Sequence, residues 1–231
     1  MTPMDQIALL SPLDGLAVLL LFGGWAAIGW RIEHATTGRR SVSLLMADYR
    51  RLWMQEFVGR EPRIFDAQIL ATLRQGTSFF ASTAVIAIGG VLALAGNIDP
   101  LEMAAEDAGL AVPGVVLQLK LVVVAVFLTN AFLRFVWSNR LFGYCAVVMA
   151  AVPNDTADPA ARPRAAKAAE LNVRAAVAFN RGLRSVYFAL GALAWLLGPV
   201  ALLVATAAVL WTLWAREFAS IPHRVLSETP P

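Results

Sequence analysis

Four long apolar runs, joined by segments of unlike charge, constrain this chain more than any other feature. The runs cover residues 13–30, 76–96, 115–137 and 185–214. Each approaches the ~20 residues that a helix needs to cross a bilayer core at ~1.5 Å per residue. Residues 31–74 hold eight arginines, residues 97–114 hold four acids and no Lys or Arg, and residues 134–184 hold eight basic side chains. Basic loops stay on the cytoplasmic side, where the leaflet is anionic. The pattern predicts an all-α integral membrane bundle with four transmembrane helices and amphipathic helices on the cytoplasmic side. It puts residues 31–75 and 134–184 inside, 97–114 outside and both termini outside. The compartment it implies is the cytoplasmic (inner) membrane.

Composition agrees. Hydrophobic residues make up 58% of the chain and charged ones 15%, against the ~45–50% apolar share of a soluble domain. The length suits one domain over residues 1–231, with a mobile tail at 217–231. A pI near 9.5 is compatible with nucleic-acid binding, but the basic residues flank apolar spans, so retention at an anionic leaflet explains them and nucleic acid is not expected. One cysteine, Cys145, excludes an intramolecular disulfide. Its apolar neighbours predict a packed small side chain rather than a nucleophile. The first basic residue, Arg31, follows the first run, so the N-terminus does not read as a cleavable signal.

Along the chain, Asp14 opens the first span, and Gly15, Gly23, Gly24 and Gly29 allow close helix approach in lipid. Thr36, Thr37 and Gly38 break the helix, and Ser41 reads as an N-cap. Val42, Leu45, Met46, Tyr49, Leu52, Trp53 and Phe57 then recur at helical spacing opposite Asp48, Arg51 and Gln55. That is an amphipathic helix for the inner interface or the mouth of the bundle. Gly59 ends it, and a helical lead-in from Ile64 runs into span two, which Gly96 and Asn97 stop. A short helix is expected between Pro100 and Ala108. In span three, Lys120 should snorkel outward and Arg134 inward, and Asn130 should bond a neighbouring helix. Residues 141–152 look too short to span and read as a buried or re-entrant piece. A helix with a Glu170–Arg174 pair begins near Pro163. Gly198 and Pro199 interrupt the last run, which reads as one long kinked helix, the alternative being a hairpin.

Chemistry is sparse. The two histidines, His34 and His223, fall on opposite sides of the membrane on this topology. No phosphate loop, nucleophile elbow or zinc-protease motif occurs. No catalytic residue, metal site or cofactor is therefore expected. The polar side chains at the cytoplasmic ends of the spans are the candidates. Arg134, Arg140, Arg181 and Arg184 would crowd one level if spans three and four are neighbours. They would then need water, acids or an anionic lipid headgroup.

These boundary residues also carry a family likeness. Arg51, Leu52, Trp53 and Met54 are followed by the run Ala67 to Gln75 and by Ala81, Ser82 and Thr83. Later come Phe132 to Phe135, Arg140 with Tyr144, Phe179 to Arg184, Tyr187 to Ala189, Ala194 and Trp195 with Pro199, and Arg216 to Ser220. Together they resemble domain-of-unknown-function family five hundred and ninety-nine, of bacteria and plants, over about residues 12–220. Gln75 departs from the pattern, where Asn is expected. The resemblance implies a four-span integral membrane protein and no particular activity.

The functional expectation is a non-enzymatic accessory or structural component. Its partners would be membrane lipids, anionic ones included, and another membrane protein or a second copy. The alternative is a small oligomeric transporter or channel with a path near Lys120, Asn130 and Arg134. A lipid-active enzyme ranks last, for want of a base or nucleophile.

Overall fold

A computed structural model describes residues 10–34, 39–107, 109–110 and 112–228. The expected break at Thr36, Thr37 and Gly38 and the last three tail residues lie outside them. The described residues are mainly helical, with no strand among them. The elements are α1 (Pro12–Glu33), α2 (Val42–Gly59), α3 (Ile64–Gly96), α4 (Asp99–Asp107), α5 (Gly114–Ala150), α6 (Ala161–Leu193), α7 (Pro199–Phe218) and α8 (Ile221–Glu228). Four stretches are long and apolar enough to cross a membrane: Pro12–Glu33, Ile64–Gly96, Gly114–Ala150 and Pro199–Glu228.

Local chemistry sets most helix ends. Ser11 and Asp14 cap α1 reciprocally: the Ser11 N–H donates to Asp14 Oδ2 at 3.0 Å and the Asp14 N–H to Ser11 Oγ at 3.2 Å. The Ser41 hydroxyl accepts from the Leu44 N–H at 3.2 Å and donates to the Ile32 carbonyl at 2.7 Å. It thus caps α2 and ties it to the end of α1.

The chain forms two compact units, and α1, α3, α5, α6 and α7 each run through both. The first comprises Met1–Trp30, Thr83–Ala131 and Leu183–Trp214. Its core holds Leu21, Leu117, Leu121, Val124, Phe127 and Leu202. Phe127 stacks between Phe22, at 4.9 Å, and Phe188, at 5.9 Å, with Trp25 edge-on. The second comprises Arg31–Ser82, Phe132–Gly182 and Ala215–Pro231. Met54, Phe57, Leu70, Phe142, Cys145 and Met149 pack there against an alanine ladder on α6: Ala161, Ala165, Ala168 and Ala175. Their small side chains let α6 approach closely.

Four expectations need correcting. Residues 141–152 are no separate piece: α5 runs unbroken to Ala150, because no Gly–Pro signal intervenes before Pro153. Its last turns are buried on one face through Leu141, Phe142, Cys145 and Met149. The final run is not one kinked helix. A 3₁₀ turn (Ala194–Leu197) and Gly198, at φ +121°, separate α6 from α7. Pro199 serves as the first residue of a new helix, where its missing N–H is harmless. A Cβ on Gly191 would lie 3.2 Å from Val209 and 3.9 Å from the Ala205 carbonyl. In one straight helix Gly191 and Ala205 would be roughly 21 Å apart, so the hairpin alternative holds.

The buried face of α2 is turned from the expected stripe. Ala47, Met54, Phe57 and Val58 are buried, while Met46 and Leu52 are exposed. Trp53 donates its indole N–H to the buried Asp66 at 2.6 Å. Residues 221–228, expected in a mobile tail, form the helix α8, which packs on α2. Residues 215–228 fall in the same compact unit as residues 39–82. His34 and His223 likewise belong to one unit; His223 is buried, its Nε2 at 3.0 Å from the Arg40 carbonyl.

Candidate functional site

The second unit contains a largely apolar cavity of about 550 Å³ between α2, α3, α5, α6 and α7. Its apolar wall includes Met46, Leu73, Phe142, Val177 and Phe179, and its polar wall includes Ser43, Arg50, Thr77, Asn180, Arg216 and Glu217. Arg50 reaches it because it sits on the buried face of α2, between Ala47 and Met54. One guanidinium nitrogen, Nη1, donates to Asn172 Oδ1. The Asn172 amide in turn lies 3.8 Å from Cys145 Sγ, whose thiol donates to the Ala168 carbonyl at 3.3 Å. Burial pulls the Arg50 guanidinium down from its ordinary pKa, and arginine remains charged at neutral pH all the same.

Glu217 is the one acid on that wall, and it is committed elsewhere. Its Oε2 accepts from the Ser43 N–H, in the first turn of α2, at 3.0 Å. A carboxylate at a helix N-terminus is stabilised by the orphan N–H groups and the helix dipole. The Asn180 amide donates to Ser43 Oγ at 3.3 Å, so α6 and α7 both anchor the start of α2.

The arginines singled out in the sequence do not converge on one cavity. Arg181 is ion-paired with Glu33 through several hydrogen bonds, one of 2.9 Å from Nε. These bonds hold its guanidinium above the usual arginine pKa. Glu33 is far away in sequence, and this partner was not anticipated. Arg184 is buried in the first unit, its guanidinium 3.8 Å from where a Gly29 Cβ would be. Arg134 is half-buried in the second unit. Arg140 is exposed and lines an open groove of about 610 Å³ with Arg74, Ser78, Asn139 and Tyr144. The Asn139 amide donates to Ser78 Oγ at 2.7 Å across that groove.

Asn130 bonds a neighbouring helix as expected, donating to Ser185 Oγ at 2.6 Å. Lys120 does not snorkel. It is 4% exposed, with its ammonium 5.7 Å from the Trp195 ring centroid. Trp195 also donates to Asp14 Oδ1 at 2.7 Å, so an indole and a nearby carboxylate provide the environment that water would otherwise supply.

The glycines divide into two classes. A Cβ on Gly24 would touch Leu210 at 3.1 Å, one on Gly191 would touch Val209, and one on Gly182 would strike Phe135 at 2.6 Å. Those glycines serve internal packing. A Cβ on Gly15 or Gly23 of α1, or on Gly89 or Gly90 of α3, would meet no atom of the described residues within 4 Å. Along the same faces Leu19 and Ile86 are 72% and 75% exposed.

Arg50 and Glu217 were missed as cavity residues, and for Arg50 the signal was present. It stands three residues after Ala47 and four before Met54, on the face the helix buries. Among the described residues no group of three or more His, Cys, Asp or Glu could hold a metal ion.

Compared with known proteins, residues 16–222 match the family model described as protein of unknown function, DUF599. No curated protein and no solved structure matches the chain.

Proposed function

The chain belongs to the DUF599 family, and from that premise we propose that it is a non-enzymatic accessory component of a bacterial inner-membrane assembly. The N-terminus is outside and the C-terminus inside in this reading. The arginine-rich connections face the cytoplasm, with α8 beside α2. The observation that carries the accessory role is the pair of open glycine faces. In lipid, small residues drive helix association because they let backbones approach. Gly15 and Gly23, and Gly89 and Gly90, have that character, and among the described residues no atom lies within 4 Å of where their Cβ would be. A second transmembrane helix, from another membrane protein or a second copy, fits them.

Photo-crosslinkers at Leu19 and Ile86 in native membranes test this. Both should give discrete protein adducts that disappear with Gly23→Leu and Gly89→Leu respectively. A crosslinker at Val204, which is 66% exposed on α7, is the lipid-facing control. Adduct mass separates a second copy from a different partner. Lipid adducts alone at both positions would refute the accessory reading. The transport alternative gains no support. Asn130 is satisfied by Ser185, Lys120 is buried against Trp195, and neither they nor Arg134 line the cavity or the groove described above.

A further inference from the structure

The Arg50 cavity has a chemistry that the accessory role does not use. A guanidinium carries five N–H donors. Among the described residues one hydrogen bond, to Asn172, engages Arg50, and no carboxylate comes within 4 Å of it. A half-buried cation without a counter-charge is costly, so a site of this kind is completed by an anion. Arginine's planar fork favours carboxylate and phosphate oxygens above other anions.

The rest of the wall decides what the anion is attached to. Leu73, Phe142, Val177 and Phe179 form an apolar surface continuous with Arg50. A volume of about 550 Å³ falls within the ~300–1,000 Å³ typical of small-molecule sites. A bare inorganic anion would leave most of that wall facing empty space or water. Glu217 does not repel the head strongly, because its charge is already given to the α2 N-terminus. We propose that this cavity binds a single-chain anionic amphiphile, with its oxyanion head on Arg50 and its hydrocarbon chain along Phe142 and Phe179. The head chemistry is shared by fatty-acid carboxylates and lysophospholipid phosphates.

The test uses the full chain, delipidated in a neutral detergent. Oleate, oleoyl-lysophosphatidate, oleyl alcohol and inorganic phosphate are added separately. Native mass spectrometry reads retention and a thermal melt reads protection. Oleate or the lysophosphatidate should bind at least about tenfold more tightly than oleyl alcohol, which has the same chain and no charge. Inorganic phosphate alone should give no protection. Whichever of the two anions binds more tightly names the natural head. Arg50→Gln should remove the preference for the anion, and Arg50→Lys should keep part of it. If Arg50→Gln does not fold, Ala176→Trp fills the cavity from α6 with Arg50 retained, and it should abolish binding. Three results would each overturn the proposal: equal retention of oleate and oleyl alcohol, protection by inorganic phosphate equal to that by oleate, and undiminished oleate binding in folded Arg50→Gln or, failing that, in Ala176→Trp. The crosslinking of Leu19 and Ile86 reports on the accessory role separately, so either idea can fail alone.

Discussion

Replacing Gly182 by alanine should destabilise the protein, although alanine is the better helix former. The new methyl would lie 2.6 Å from Phe135 Cε1 and 2.8 Å from Cδ1. Carbon atoms prefer ~3.5–4.0 Å, so the ring must move by roughly 1 Å. It has little room to do so, because Phe135 is fully buried, with Phe80 and Phe179 each 5.5 Å away by centroid. Overpacking of this kind costs ~1–3 kcal/mol, and the helix-propensity gain of Ala over Gly returns at most ~1 kcal/mol. The net loss should be about 1 kcal/mol, a fall of roughly 2–4 °C in Tm for a chain of this size. Thermal unfolding in detergent measures it. Gly89→Ala, with nothing within 4 Å, is the control and should not lower Tm. Phe135→Leu should relieve the clash, so the two substitutions together should show a favourable coupling of about 1 kcal/mol in a double-mutant cycle. A Gly182→Ala protein that melts at or above wild type would refute the reasoning.

Two further outcomes are expected. In a Cys145→Ala background, Ser227→Cys and Arg39→Cys should be labelled from the cytoplasmic side and Met103→Cys from the opposite side; labelling of Ser227→Cys and Met103→Cys from the same side would break the proposed topology. The double variant Arg74→Ala/Arg140→Ala should retain roughly 10–30-fold less anionic phospholipid in native mass spectrometry, at about 1 kcal/mol per basic residue near an anionic surface, while Arg181→Ala, whose charge is given to Glu33, should leave retention unchanged.

What the sequence made legible was chemistry that acts over a few residues. Ser41, Gly59 and Gly96 mark helix ends because caps and stops are local, and each stands where the structure puts it. Asn130 was expected to reach another helix because an amide in lipid has few other options. The face of α2 was misread because hydropathy gives weight to large apolar side chains. The face that is buried carries Ala47 and Arg50, which count for little or count against it. The α6–α7 hairpin leaves little mark in the sequence because its turn is made by Gly198 and a 3₁₀ turn, without polar residues. Glu33 was invisible as the partner of Arg181 because 148 positions separate them, and only the folded bundle brings them together. Arg184 could not be told from its neighbours, since a buried arginine and an exposed one look alike in sequence.

The indole of Trp195 ties the last hairpin to the first helix, and this sets a timetable for assembly. Asp14 and Trp195 are 181 residues apart. At about 5–20 residues per second, the ribosome needs roughly 9 to 36 s to deliver the second after the first. During that interval the carboxylate at the head of α1 has the Ser11 cap but not its indole donor. Lys120 arrives in the meantime without the ring it will lie against. The first span is thus inserted early but finished last. Any chain ended before residue 195 keeps an acid and an amine in the membrane without the tryptophan that joins them.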